Sequence, residues 1–347
     1  MAKFKIVTVR GGISAVGPDY EFEREALDLI GAEIVEINAN SDDGFIELAK
    51  DADALYAKGR PFRRNVLEKL ERCKVISLGS VGVDTVDVEC ATERGIPVTN
   101  VPDTFIEEVA DHAMTLILAA WRRLVVQDRM VRTGKWTEAR PMLYQFPRLR
   151  GLTLGFVAFG HVARAVAERA KPFGFNLIAY DPYLEEMVFN RQGVASVTLE
   201  ELLARSDIVS MHAPSTSDAH HLLKERHFRA MKRDALFVNT GRGATVEEAG
   251  LIRALKEGWI AGAALDVFEV EPVKPDNPLL KMDNVILTSH VASASARFDP
   301  ARRRRVGQEL AAVLSGRWPR SCVNPSVLDK SPLRRWQPNS MERGPGN

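Results

Sequence analysis

Short apolar runs rich in Val and Ile alternate along this chain with stretches whose apolar positions recur at helical spacing. Residues 5–9 (KIVTV), 33–37 (EIVEI), 53–57 (DALYA), 74–78 (KVISL) and 96–100 (IPVTN) read as strands. Between them, residues 21–31 (EFEREALDLIG) and 63–72 (RRNVLEKLER) read as amphipathic helices. This alternation predicts a parallel sheet covered by helices, because parallel neighbours need a crossover segment between them. Residues 107–124 predict one long apolar helix, followed by a polar stretch broken by Gly134, Pro141 and Pro147.

At Gly151 the pattern restarts. Residues 153–159 (TLGFVAF) predict a strand, 161–174 (HVARAVAERAKPFG) a helix and 176–181 (NLIAYD) a strand. Further strands are expected at 207–213, 235–240, 262–268 and 285–290, each ending at a polar or glycine-rich junction, where open α/β sheets bind ligands. Residues 295–316 predict a last long helix. The tail from 329 to 347 is polar, rich in Pro and Gly, and expected to be disordered.

Composition narrows the function classes. At 347 residues, 45% apolar and 27% charged, the chain suits two soluble globular domains. A net charge of +1 supplies no global field for nucleic acid or an anionic membrane, so neither is expected as a partner. The most apolar helical stretch, residues 113–121, is too short to span a bilayer. Three scattered cysteines, Cys73, Cys90 and Cys322, form no metal-like cluster and point to a reduced, cytoplasmic protein. No metal is expected. Four consecutive arginines, Arg302–Arg305, point all round a helix rather than forming one nucleic-acid face, and read as mostly solvated or paired.

The chemistry concentrates after Gly151. The string GFVAFGHVA stands between a strand and a helix, where G-x-G-x-x-G/A would cradle a dinucleotide pyrophosphate. Its three positions are Ala158, Gly160 and Ala163, so the first glycine is replaced. Asp181 follows about 20 residues on; it suits an adenosine ribose and repels a 2′-phosphate, which argues NAD over NADP. Arg242 in NTGRG, Glu271 in DVFEVEP and His290 in ILTSH provide a carboxylate grip, an orienting anion and a proton donor near neutral pH.

These strings, with SVGVDTVDVECATERGIPVTNVPD and EEVADHAMTLIL upstream, resemble the D-isomer-specific 2-hydroxyacid dehydrogenases over residues 50 to 328. The resemblance implies two doubly wound parallel-sheet α/β lobes, Rossmann- and flavodoxin-like, with the active site in the cleft between them. The expected lobes are 1–104 plus 296–328 for substrate and 105–295 for NAD. It implies that Arg242 holds the substrate carboxylate and polarises the 2-oxo group, His290 is the acid/base, and Glu271 supports His290. Val81 and Gly82 would offer N–H groups to the carboxylate, and Lys58 sits at a loop facing the substrate tail, although the residue itself reads as solvated. Gly160, His161 and Val162 would meet the pyrophosphate. Ala213, Thr240 and Gly241 would line the cofactor, Asp266 would reach the nicotinamide amide, and Ser293 would stand beside the ring.

The expected substrate is a small anionic 2-keto or 2-hydroxy acid, and the expected assembly a homodimer. Met114, Leu116, Ile117, Leu118 and Trp121 read as core or subunit contact. Two departures stand out: Ser289 precedes the histidine where the family usually has proline, and Leu78 stands where phosphoglycerate-oxidising members carry arginine. The same resemblance leaves two alternatives, a dinucleotide-sensing corepressor like the C-terminal-binding proteins and a phosphite-oxidising enzyme.

Overall fold

The computed structural model describes residues 2–9, 19–58, 60–144 and 146–335. The chain divides into two compact units, Met1–Thr104 with Ser295–Asn347, and Phe105–Ala294.

In the first unit, β1 (Phe4–Val9), β2 (Ala32–Ile37), β3 (Ala54–Ala57), β4 (Ile76–Leu78) and β5 (Val98–Thr99) form one sheet in the order β2-β1-β3-β4-β5. Every pairing is parallel. The central strands β3 and β4 are buried at every position, as a sheet covered on both faces requires. One face packs on Phe45, Phe62, Leu67 and Leu70, with the Phe45 and Phe62 rings edge to face at 5.4 Å.

The helix Phe298–Leu314 closes this unit against the helix Glu21–Leu27. A Cβ on Gly307 would stand 2.4 Å from the Glu23 carbonyl oxygen, so glycine is what permits the approach. The arginine run is paired throughout. Arg302 pairs with Asp299, Arg304 with Glu25 at 2.9 Å and Arg305 with Glu309 at 2.5 Å. Arg303 is 4% exposed, Glu23 is 1% exposed, and Nε of Arg303 donates to both Glu23 oxygens at 3.0 Å. The paired half of that reading holds for Arg303, which is buried as well: its ion pair with Glu23 joins elements 280 positions apart.

Lys58 departs from the solvated reading. Its ammonium donates to the Tyr20 hydroxyl at 3.2 Å and lies over the Tyr20 and Tyr56 rings at 4.9 and 5.3 Å. Burial lowers its pKa below the usual lysine range. Of the tail expected to lack structure, residues 329–335 are described: Arg334 bridges Arg317, and Trp318 Nε1 donates to the Leu333 carbonyl at 3.1 Å. Residues 336–347 lie outside the described residues.

The second unit holds β6 (Thr153–Val157), β7 (Asn176–Tyr180), β8 (Ala195–Ser196), β9 (Ile208–Met211), β10 (Leu236–Asn239), β11 (Gly262–Leu265) and β12 (Val285–Leu287). Their order is β12-β11-β10-β9-β6-β7-β8, again all parallel. The order reverses between β6 and β9, which makes the carboxyl ends of those strands the expected ligand crevice of a doubly wound sheet.

The long apolar helix predicted over 107–124 is two helices, Ile106–Trp121 and Leu124–Arg132. Arg123 breaks it by adopting a left-handed conformation (φ 50°), and its guanidinium donates to the Ala261 carbonyl at 3.1 Å. A tertiary hydrogen bond therefore overrides an apolar pattern that runs on to Leu124. Met114, Leu116, Ile117 and Trp121 are core residues, packed with Leu154, Phe156 and Val166. Among the described residues no helix is long and apolar enough to cross a membrane.

Candidate active site

The turn after β6 is shaped by three backbone choices. Ala158 takes the left-handed conformation (φ 67°) that glycine would enter without strain, at a cost on the order of 1 kcal/mol. Its N–H is held by the Tyr180 carbonyl at 2.8 Å. The next N–H, of Phe159, donates to Asp181 Oδ2 at 2.9 Å, and Tyr183 N–H donates to Asp181 Oδ1 at 3.0 Å. Asp181 is thereby fixed beside the turn, with carboxylate lone pairs to spare for further donors.

Gly160 caps the helix His161–Ala170 with extended backbone, and a Cβ there would meet no described atom within 4 Å. His161 and Val162 occupy the first helical turn, whose N–H groups have no partner inside the helix and attract anions. The Val162 side chain packs on the unit's core, so its backbone N–H is the part available for binding.

The ends of β9 and β10 lie close together. A Cβ on Gly241 would stand 3.2 Å from the Ala213 carbonyl oxygen. Thr240 is 7% exposed, and its hydroxyl is buried with no partner among the described residues. A buried hydroxyl without a partner is costly. The open space at Gly160, the helix start, Asp181 and this orphaned hydroxyl together fit a dinucleotide along the carboxyl ends of the sheet.

Arg242 follows on a loop that Asn239 folds. The Asn239 side chain accepts from Gly241 N–H at 2.9 Å and donates to the Arg242 carbonyl at 3.1 Å, which also accepts from Thr245 Oγ1 at 2.6 Å. One guanidinium nitrogen of Arg242 donates to the Gly241 carbonyl at 2.9 Å. Gly243 lets this loop lie against the next one, since a Cβ there would fall 1.8 Å from the Phe268 carbonyl oxygen. The sequence reading did not single out Asn239 or Gly243; the N-T-G-R-G spelling held both.

His290 was expected to end its strand. Instead β12 stops at Leu287, and His290 lies in the following loop with φ 54°. Asp266 explains the turn. It is fully buried, and its backbone carbonyl accepts from His290 N–H at 2.8 Å. Its carboxylate accepts from Val291 N–H at 2.9 Å, Ala292 N–H at 3.0 Å and the Thr288 hydroxyl at 2.6 Å. These donors satisfy a group that would otherwise be very unfavourable inside the protein, and they aim the histidine. His112 Nε2 lies 3.1 Å from Thr288 Oγ1 and extends the network to the helix Ile106–Trp121. Ser289 is exposed and Ser293 half-buried in the same loop.

The three sequence-predicted chemical groups meet here. His290 Nδ1 and Glu271 Oε2 are 2.6 Å apart, and Glu271 Oε1 accepts from Phe268 N–H at 2.9 Å. The hydrogen bond to Glu271 raises the His290 pKa above its ordinary value, against burial and the positive charge of Arg242, which lower it. For Glu271, burial pushes the carboxyl up, but the bonds from His290 and Phe268 outweigh it and the net direction is down. The glutamate is thus an anion that keeps a half-exposed imidazole protonated, with a guanidinium beside both. Such a set can grip a carboxylate and deliver one proton.

In the first unit, the Val81 and Gly82 N–H groups have no partner among the described residues, while Asn100 Nδ2 and Ser80 Oγ hold the two carbonyls at 2.7 Å each. Leu78 is 1% exposed and packs in the core. No group of three or more metal-ligating side chains occurs among the described residues.

A family model described as the NAD binding domain of the D-isomer specific 2-hydroxyacid dehydrogenases matches residues 114–292. The chain is 45% identical over 289 residues to a glyoxylate reductase of Korarchaeum cryptofilum, covering 83% of this chain and 87% of that protein. It is 38% identical over 328 residues to a D-3-phosphoglycerate dehydrogenase of Methanocaldococcus jannaschii, 94% of this chain but 62% of the relative. Among solved structures it is similar to an NADPH-dependent glyoxylate/hydroxypyruvate reductase of Sinorhizobium meliloti in complex with NADP and malonate. That likeness has a TM-score of 0.80 at 30% identity and covers 96% of this chain and 99% of the other.

Proposed function

The chain belongs to the D-isomer-specific 2-hydroxyacid dehydrogenase family, nicotinamide-dependent oxidoreductases of 2-keto and D-2-hydroxy acids, and we propose that it reduces a short 2-keto acid of the glyoxylate class with NADH. The observation that carries the reading is the 2.6 Å contact of His290 with Glu271 beside Arg242. When bound, the nicotinamide supplies the hydride for reduction and takes it back in oxidation. Arg242 binds the substrate carboxylate through its planar donors and draws electron density from the 2-oxo group. His290 gives its Nε2 proton to that oxygen, and Glu271 stabilises the imidazolium until it does. In the reverse direction the neutral imidazole takes the hydroxyl proton.

For the cofactor, Gly160, His161 and Val162 supply the phosphate-binding turn, and Thr240, Gly241 and Ala213 line the strand ends. Asp266 and Ser293 belong to the nicotinamide end. NAD is preferred to NADP because Asp181 is fixed as an acceptor, with Glu185 and Glu186 close behind it and no cation in that stretch. The glyoxylate class is supported by the similar glyoxylate reductases, and the buried Leu78 offers no charge to a phosphorylated tail.

A homodimer and a cytoplasmic location complete the proposal. The exposed Leu124, Val125, Trp136 and Tyr144 of the second unit support the dimer, and three free cysteines support a reducing compartment. NADH oxidation with glyoxylate, hydroxypyruvate, pyruvate and branched or aromatic 2-keto acids tests the activity. Turnover with a short 2-keto acid that disappears in His290→Ala is expected. Wild-type turnover in that variant across pH 6–9 would remove the acid/base role.

A further inference from the structure

A second close imidazole–carboxylate pair lies on the same unit. His221 Nε2 and Glu269 Oε1 are 2.6 Å apart, and both side chains are mostly buried. Their hydrogen bonds run to Ala244 and Glu248 rather than to Glu271 or His290.

Each partner is tied to a different loop of the site. The His221 N–H donates to the Ala244 carbonyl at 2.9 Å, and Leu223 N–H donates to Thr245 O at 3.1 Å. The segment carrying His221 is thereby laced to the loop that presents Arg242. Glu269 lies two residues before Glu271 on the loop after β11. Its second oxygen accepts from Glu248 N–H at 3.0 Å, and its own N–H donates to Glu248 Oε2 at 3.1 Å. The helix Glu248–Lys256 has no cap from its preceding residue, Glu247, so Glu269 supplies from another loop the anion that its N-terminus favours. The remaining Glu248 oxygen is held by Asn277 Nδ2 at 2.7 Å.

We propose that His221 and Glu269 are a positioning pair, which locks the Arg242 loop onto the Glu271 loop and so sets the substrate-carboxylate grip relative to the proton donor. The close passage of Gly243 over Phe268 brings the two backbones together, and the pair fixes their register at the far side of that crossing. A neighbouring ring, His220, lies 4.1 Å from His221 between centroids. The charge-assisted bond is short and sheltered, which makes it stronger than a neutral one.

This inference rests on the dehydrogenase reading for its kinetic consequence but not for its structural one, so two readouts separate them. Glu269→Gln, His221→Gln and the double variant are compared with wild type. Hydrogen–deuterium exchange of the amides at 242–248 and 268–272 should quicken in each single variant and no further in the double, because the pair acts as a unit. With glyoxylate or whichever 2-keto acid the wild type reduces, KM should rise and kcat/KM should fall by about tenfold, the scale of one charge-assisted hydrogen bond. Wild-type exchange in those segments, or an additive loss in the double variant, overturns the pair. Quickened exchange with unchanged KM overturns its link to the substrate grip. An inactive wild type removes the enzymatic reading and leaves the exchange result to decide the pair. If Glu269→Gln does not fold, His221→Gln decides by the same two measurements.

Discussion

Replacing Gly160 with alanine separates folding from binding. The residue has φ −71° and ψ −164°, which alanine adopts without strain, and the new methyl would meet no described atom within 4 Å. Losing glycine's freedom in the unfolded chain stabilises by about 0.4–1 kcal/mol. Alanine is the poorer N-cap by a few tenths to about 1 kcal/mol, so the two effects nearly cancel. The melting temperature without cofactor should therefore stay within about 3 °C of wild type. Binding should suffer instead, because the methyl would occupy the open space through which, on the proposed cofactor site, phosphate oxygens reach the first-turn N–H groups. Loss of one such charge-assisted bond, about 1.5–3 kcal/mol, weakens NADH affinity roughly tenfold to a hundredfold. Fluorescence titration with NADH and a thermal melt of the same sample measure both. Gly243→Ala is the contrast: its methyl would fall 1.8 Å from the Phe268 oxygen, so that variant should lose structure and not only affinity. An NADH affinity within twofold of wild type in Gly160→Ala, or a large drop in its melting temperature, would refute the placement of the phosphates.

With His290 as the proposed acid/base, reduction would use the protonated imidazole, so its rate should hold at low pH and fall as pH rises through the raised His290 pKa, while oxidation rises over the same range. Glu271→Gln removes the main cause of that elevation and leaves burial and Arg242 lowering it, so the alkaline limb of the reduction profile should move to lower pH; an unmoved limb would contradict the assigned support. Removing one partner of the buried Arg303–Glu23 pair, as in Glu23→Ala, should cost about 3–5 kcal/mol and lower the melting temperature by roughly 6 °C or more, read by differential scanning fluorimetry. Asp181→Ala should shrink the proposed preference for NADH over NADPH by about tenfold, measured as the ratio of kcat/KM values; wild-type NADPH use equal to NADH would undo the ribose assignment.

The parallel sheets were legible because their strands are short, mostly apolar and separated by helical patterns. Arg242, Glu271 and His290 were legible because each closes a strand-and-loop string of recognisable spelling. Conformation was harder to read. The left-handed φ of His290 comes from four hydrogen bonds to Asp266 made by residues 22 to 26 positions away, and no local pattern announces them. Arg123 broke an apolar helix through a bond to Ala261, 138 residues on. Lys58 reads as solvated in the sequence because the Tyr20 hydroxyl that accepts its hydrogen bond is 38 residues upstream. His221 and Glu269 escaped notice because each alone is an ordinary polar residue in a loop, and only the folded chain puts them together.

The pairing of Glu23 with Arg303, 280 positions apart, has a consequence for biosynthesis. As the nascent chain leaves the ribosome, the helix Glu21–Leu27 emerges long before Phe298–Leu314 exists to cover it. The intervening unit, Phe105–Ala294, is continuous in sequence and can complete its core while translation is still under way. The amino-terminal sheet must wait, with an unmatched carboxylate and a bare apolar flank, until residues 298–314 have been translated. A premature stop before codon 298 would therefore release a dinucleotide-binding half able to fold and a first half left as a target for chaperones and proteases.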